Sequence, residues 1–232
     1  MHWILALSVL LGIAAPALAE QPRPVVVELF TSQGCSACPP ADALLAELAA
    51  RSDVLPLAFH VTYWNSLGWR DPFSLDLATD RQRVYQRLLG TEALYTPQMI
   101  VDGRTDVIGS DRRAVAYAIA AAMLDSTVPV GVTRSGRGVQ IAVGAGKGDA
   151  SVIVVGYDSV RRTSVQRGEN AGRQLSESNI VRNFQKVADW TGQPLSLAIP
   201  LPMAERVAII LQASDGRILG AASLAKPNGV SE

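Results

Sequence analysis

Cysteine is scarce in this chain. Its 232 residues include two, Cys35 and Cys38, three positions apart. A structural disulfide framework needs pairs spread along the sequence. A loop this short constrains the unfolded chain little, so the pair is no staple. A second cysteine pair, which a zinc site of about four ligands would need, is also missing. Charge of one sign is not in excess: Lys plus Arg is 21 and Asp plus Glu is 21. That argues against a nucleic-acid binder, which would carry a basic surplus. Charged residues make up 18% and the AVILMFWYC set 48%, a balance that excludes a disordered chain. Long apolar runs are few, and the longest, residues 4–15, is short of the roughly 20 residues a membrane helix requires.

That run, ILALSVLLGIAA, leads into Pro16-Ala17-Leu18-Ala19, an A-x-A pattern. It reads as a secretory signal (1–19) cleaved after Ala19, although Met1-His2-Trp3 carries no Lys or Arg; a retained anchor is the alternative. The mature chain, 20–232, is expected in the periplasm or secreted, with no membrane span left. It keeps both cysteines and one histidine, His60. Outside the cytosol a cysteine pair is oxidised or exchanging.

Two patterns follow one another. Residues 24–126 alternate strand and helix signals: VVVELF (25–30), a helical stretch from Pro39, VLPLAFHV (54–61), a helix over 74–89, QMIVD (98–102), a return strand at 104–108 after Asp102-Gly103, and an Ala-rich helix over 112–125 opened by Asp111. Arg81, Arg83 and Arg87 are expected on the outer side of the second helix. Residues 128–226 instead carry short β-type runs separated by glycines, as in a small sandwich. Segment 179–190 fits helical spacing as well as alternation and is read as a strand from its neighbours. The expected fold is α/β, with domains at 23–127 and 128–226 and a boundary near 126–129.

The chemistry lies at the first strand-to-helix turn. Cys35-Ser36-Ala37-Cys38 follows a buried-type strand and opens a helix, the context that marks a redox C-x-x-C. Unpaired backbone N–H groups and the helix dipole at that end stabilise a thiolate. Cys35 is therefore the expected nucleophile, and Cys38 the thiol that resolves the mixed disulfide. No cofactor is required.

This order of elements resembles the thioredoxin-like superfamily over 24–126. Across most of the mature chain the sequence also resembles an uncharacterised family of exported bacterial proteins, known by an ELFTSQGCSxCPPAD signature. Here the signature runs from Glu28 to Asp42, and later segments HVTYWNSLGWRDPF (60–73), YTPQMIVDG (95–103) and GENAGR (168–173) match as well. The resemblance implies a thioredoxin-like N-terminal domain followed by a small all-β, sandwich-like one. It implies that Thr96-Pro97 holds a cis proline beside the cysteines, shaping a cleft for an extended substrate. It also implies that Glu28, on the strand before Cys35, relays a proton to Cys38, although Glu28 stands one residue further from Cys35 than in that pattern.

Other residues carry competing readings. The loop 63–73 holds Tyr63, Trp64, Trp69 and Phe73. Trp64 and Trp69 would line a client groove, or the loop packs its aromatics inward. Arg70-Asp71 reads as a local ion pair. His60 is a hydrogen-bonded strand-end residue, or with Cys35 and Cys38 a soft-metal set for Cu(I). Residues 167–173 cap the site or merely connect strands. The chain is expected to exchange disulfides with protein thiols or disulfides, with a redox partner protein and no nucleic acid. A copper-handling protein and a non-enzymatic binding module are the alternatives.

Overall fold

An unbroken apolar run suits a strand covered on both faces, and β1 (Val25–Thr31) and β2 (Val54–His60) are buried at every residue. The computed structural model describes residues 23–224. The expected signal segment (1–19) and residues 225–226 lie outside the described residues. β1 pairs in parallel with β2 and antiparallel with β3 (Gln98–Val101), which turns back as β4 (Thr105–Ile108). Alternation sorts the side chains of β1. Val25, Val27 and Leu29 pack on α1 (Pro39–Leu48) and α3 (Arg112–Ala122), while Val26 and Phe30 face Tyr85 of α2 (Asp76–Leu89). Asp111 caps α3, accepting from the N–H groups of Arg113 and Ala114.

The remainder is all strand among the described residues: β5 (Val130–Ser135), β6 (Gly138–Val143), β7 (Ala150–Ser164), β8 (Gln174–Trp190), β9 (Leu195–Pro200), β10 (Arg206–Ala213) and β11 (Ile218–Ser223). The sheet does not stop at the expected boundary. β8 joins the edge of β2 in parallel at Ala58 and Ile180, giving one eight-stranded sheet in the order β11-β10-β7-β8-β2-β1-β3-β4. Without β8 that apolar edge of β2 would be left unpaired. The sheet β5-β6-β9 packs over the outer strands, with Val139, Ile141 and Val143 against Val152, Val154, Ile209 and Trp190. A second junction joins the two hairpin ends, where Ile218 N–H donates to Asp102 O (3.1 Å). Gly103 (φ +69°) passes so close to Gly216 there that a Cβ would lie 1.8 Å from its carbonyl oxygen.

The run read at 151–157 and the first two residues of the run read at 163–166 lie on one strand, β7, which ends at Ser164. Its pairing with β8 shifts register at Val152/Ile153 and at Gly156/Tyr157. Each shift leaves an extra residue on β8, which interrupts the inside–outside alternation. That is why 179–190 mimics helical spacing although it is strand.

Candidate redox site

β1 ends at Thr31, and the chain turns through Ser32–Gly34, with Cys35 N–H donating to Ser32 O (3.1 Å), before α1 begins at Pro39. Cys38 stands at the N-cap of α1, and the missing N–H of a proline is tolerated in the first turn. Cys35 and Cys38 are joined in a disulfide, Cα–Cα 5.4 Å. Cys35 is 1% exposed and Cys38 0%. The Thr96–Pro97 bond is cis, and Thr96 O lies 3.8 Å from Cys35 Sγ. A disulfide sulfur has no hydrogen to donate, so that contact becomes a hydrogen bond only on reduction. Gly109 makes room for Pro97: a Cβ there would meet Pro97 Cβ at 3.2 Å and Leu29 Cδ1 at 3.0 Å.

The two tryptophans are half-buried and tied to this centre. Trp64 Nε1 donates to Thr96 Oγ1 (2.8 Å), and Trp69 Nε1 to Gln33 Oε1 (3.1 Å). Gln33 is a hub. Its N–H donates to Asp71 Oδ2 (2.8 Å) and its Nε2 to Glu177 Oε2 on β8 (2.8 Å). Asp71 Oδ2 also meets His60 Nδ1 at 2.7 Å, with both side chains fully buried. The expected Arg70–Asp71 pair is absent: Arg70 is exposed, and Asp71 turns inward to two buried donors instead.

Four buried titratable groups, Asp42, His60, Asp71 and Glu177, act on one another. Asp42, one turn after Cys38 on α1, accepts from Thr31 Oγ1 at 2.8 Å. Burial pushes its carboxyl up to about 7, against the opposing pull of His60. Burial alone would lower the His60 pKa; the Asp71 carboxylate, helped by Glu177 and Asp42, outweighs it and holds the imidazole up to about 9. Burial raises the Glu177 carboxyl as well. His60 Nε2 and Glu177 Oε1 are buried without a hydrogen-bond partner.

Glu28 is not in this cluster. Alternation along β1 turns it to the α2 face with Val26 and Phe30, whereas Thr31 faces α1. Its carboxylate is held by the Arg81 guanidinium (Nη2 to Oε1 2.7 Å) and by Tyr85 OH (2.6 Å). Arg81, expected on the outer side of α2, is buried there, stacked over Phe184 and Tyr85. The acid on the cysteine side is Asp42, a signature residue that sequence reasoning passed over. Its position one turn after Cys38 was the available signal.

Cys35, Cys38 and His60 do not assemble as a metal set. His60 directs Nδ1 at Asp71, and among the described residues no group of three or more His, Cys, Asp and Glu is placed to hold a metal ion. Segment 167–173, expected either to cap the site or only to connect strands, reaches the backbone of the cysteine turn. Buried Asn170 donates from Nδ2 to Gln33 O (3.0 Å) and Cys35 O (2.8 Å), and Glu169 accepts from Ser36 N–H (2.9 Å).

The family model described as "Protein of unknown function (DUF1223)" matches residues 26–212. A crystal structure of protein AGR_C_4864 from Agrobacterium tumefaciens is 35% identical, with a TM-score of 0.82, covering 92% of this chain and 99% of that one. HBP35 of Porphyromonas gingivalis shares the fold at 13% identity and a TM-score of 0.58, over 91% of this chain and 79% of that one. No curated protein matches the chain.

Proposed function

The chain belongs to the DUF1223 family, whose description assigns no function, and we propose that it is an exported thiol–disulfide oxidoreductase with a thioredoxin-like arrangement acting on protein thiols or disulfides. The observation that carries this reading is the Cys35–Cys38 disulfide at the start of α1, with Thr96 O 3.8 Å from Cys35 Sγ and a cis Thr96–Pro97 bond.

In the oxidising direction, a client thiolate attacks Cys35 Sγ. The Cys35–Cys38 bond breaks, and the electron pair leaves on Cys38 as a thiolate. Asp42, which burial lets keep its proton up to about pH 7, supplies a proton to Cys38. A second client thiolate then attacks its own sulfur in the mixed disulfide and releases Cys35 as a thiolate, at the helix end that favours anions. The client loses two electrons and the cysteine pair gains them. In reverse, the same steps reduce a client disulfide. Which direction prevails depends on the potential. Thr96 presents backbone to the client, and Trp64 fixes the Thr96 side chain.

Removing the resolving thiol tests the reading. Cys38→Ala, offered a protein disulfide, is expected to accumulate a mixed disulfide at Cys35 that dithiothreitol releases. A Cys38→Ala protein that forms no such adduct with any protein disulfide overturns it.

A further inference from the structure

A redox pair that meets protein clients must be reached, yet Cys35 is 1% exposed. Part of what covers it comes from far along the chain. The tip joining β7 to β8 closes on itself through Val165 N–H to Arg173 O (2.9 Å) and Gly172 N–H to Val165 O (2.9 Å). It turns at Gly168 (φ +77°) and Gly172 (φ +79°), and Gly168 rests against Trp69, where a Cβ would come within 3.1 Å of the Trp69 Cβ. Arg173 Nη1 donates to Asn170 Oδ1 (3.1 Å), which fixes the amide with Nδ2 toward Gln33 O and Cys35 O. Glu169 takes the N–H of Ser36. That N–H belongs to the turn opening α1, where a Cys35 thiolate would find its stabilising donors. A carboxylate already there opposes a second negative charge beside it.

We infer that the β7–β8 tip is a cap on the redox pair, in which Asn170 holds the tip over Cys35 and Glu169 restrains the Cys35 thiolate, so that a client reaches the sulfur only by displacing the tip. Both are positioning residues acting on Cys35. The inference rests on the proposed exchange activity. It gives the β-rich region a part in the chemistry: the strands that extend the sheet beyond β2 also carry the gate. The other charged groups around the pair are Asp42 on α1, His60 on β2, Asp71 in the loop that follows, Glu177 on β8 and Arg173 on the tip itself. Substituting Glu169 by its neutral isostere leaves all of them in place.

The test uses the mature chain 20–232, wild type, Asn170→Ala and Glu169→Gln. Dithiothreitol reduction of the disulfide is followed by thiol release, and iodoacetamide alkylation of reduced Cys35 is followed against pH. Loss of the two Asn170 bonds is expected to speed reduction roughly 25-fold, since each hydrogen bond of ordinary strength shifts an opening equilibrium about fivefold. Glu169→Gln is expected to move the alkylation midpoint of Cys35 to lower pH and the redox equilibrium toward the dithiol. Glu169 is exposed, so its variant retains the fold and decides the matter even if Asn170→Ala does not fold. A wild type that exchanges while Glu169→Gln keeps the same midpoint and rate overturns the cap. A wild type that does not exchange overturns the oxidoreductase reading and the cap with it.

Discussion

Asp42 offers the sharpest perturbation, because its cost to the fold is worked from its surroundings. It is buried, its carboxylate accepts from Thr31 Oγ1, and its carboxyl is raised from 3.8 to about 7. Below about pH 4 the group is neutral in both folded and unfolded chains and costs nothing. Between about pH 4 and 7 the unfolded chain releases the proton and the folded one keeps it, so stability falls as pH rises. Above about 7 both are ionised and the loss is complete, about 4 kcal/mol at 1.36 kcal/mol per pKa unit. An asparagine side chain in its place keeps the oxygen that accepts from Thr31 and removes the titration. It also removes a carboxylate that helps keep His60 charged, which offsets part of the gain. Asp42→Asn is therefore expected to stabilise the oxidised protein at pH 8 by roughly 3 kcal/mol, on the order of 10 °C in Tm for a chain of this size. At pH 4 the gain is under about 1 kcal/mol. Urea unfolding of both proteins at the two pH values measures this. An equal difference at pH 4 and pH 8, or a loss at pH 8, would refute the buried, proton-holding Asp42.

Three further outcomes follow from the same contacts. The raised His60 pKa contributes stability in full below about 6.5 that is lost as pH climbs through about 9; Asp71→Asn should flatten that fall and cost about 3–5 kcal/mol at pH 6, read by denaturant titration. Arg81→Met leaves Glu28 buried without its cation and is expected to cost about 3–5 kcal/mol, most of it recovered in Glu28→Met/Arg81→Met, with the redox potential of the disulfide unchanged throughout. Gly103→Ala puts a methyl against Gly216 O at a positive φ, so thermal melting should show a loss of about 3 kcal/mol as the two hairpin ends separate.

Local features were legible where local physics decides them. Val25–Thr31 and Pro39–Leu48 stand where the apolar run and the proline place them, and Asp102-Gly103 turns the β3–β4 hairpin. The cis bond at Thr96–Pro97 was expected from resemblance alone, and Gly109, whose missing Cβ leaves room for Pro97, lies twelve residues further on. Other features depend on which way a side chain turns. Glu28 and Thr31 differ by an odd number of residues, so a strand sends one to α2 and the other to α1; the sequence does not say which face holds the cysteines. Arg81 looks like a solvated arginine until the burial of Glu28 requires a cation. Asp71 sits beside Arg70 in sequence, yet pairs with His60 across the loop. β8 joins β2 through partners 122 positions apart, Ala58 and Ile180, and through Asn179 Nδ2 donating to Pro56 O, which no local pattern announces. The GENAGR segment has the composition of a connector, and its role appears only once β7 and β8 carry it to Cys35.

Exchange at Cys35 and Cys38 is tested most directly by a redox titration of a chain spanning residues 20–232 against glutathione, counting free thiols at equilibrium. Two thiols are expected to appear together, from Cys35 and Cys38, with a single two-electron midpoint within the range of about −270 to −120 mV covered by proteins that exchange disulfides. A disulfide that stays closed across the whole glutathione range, while the protein remains folded, would contradict it.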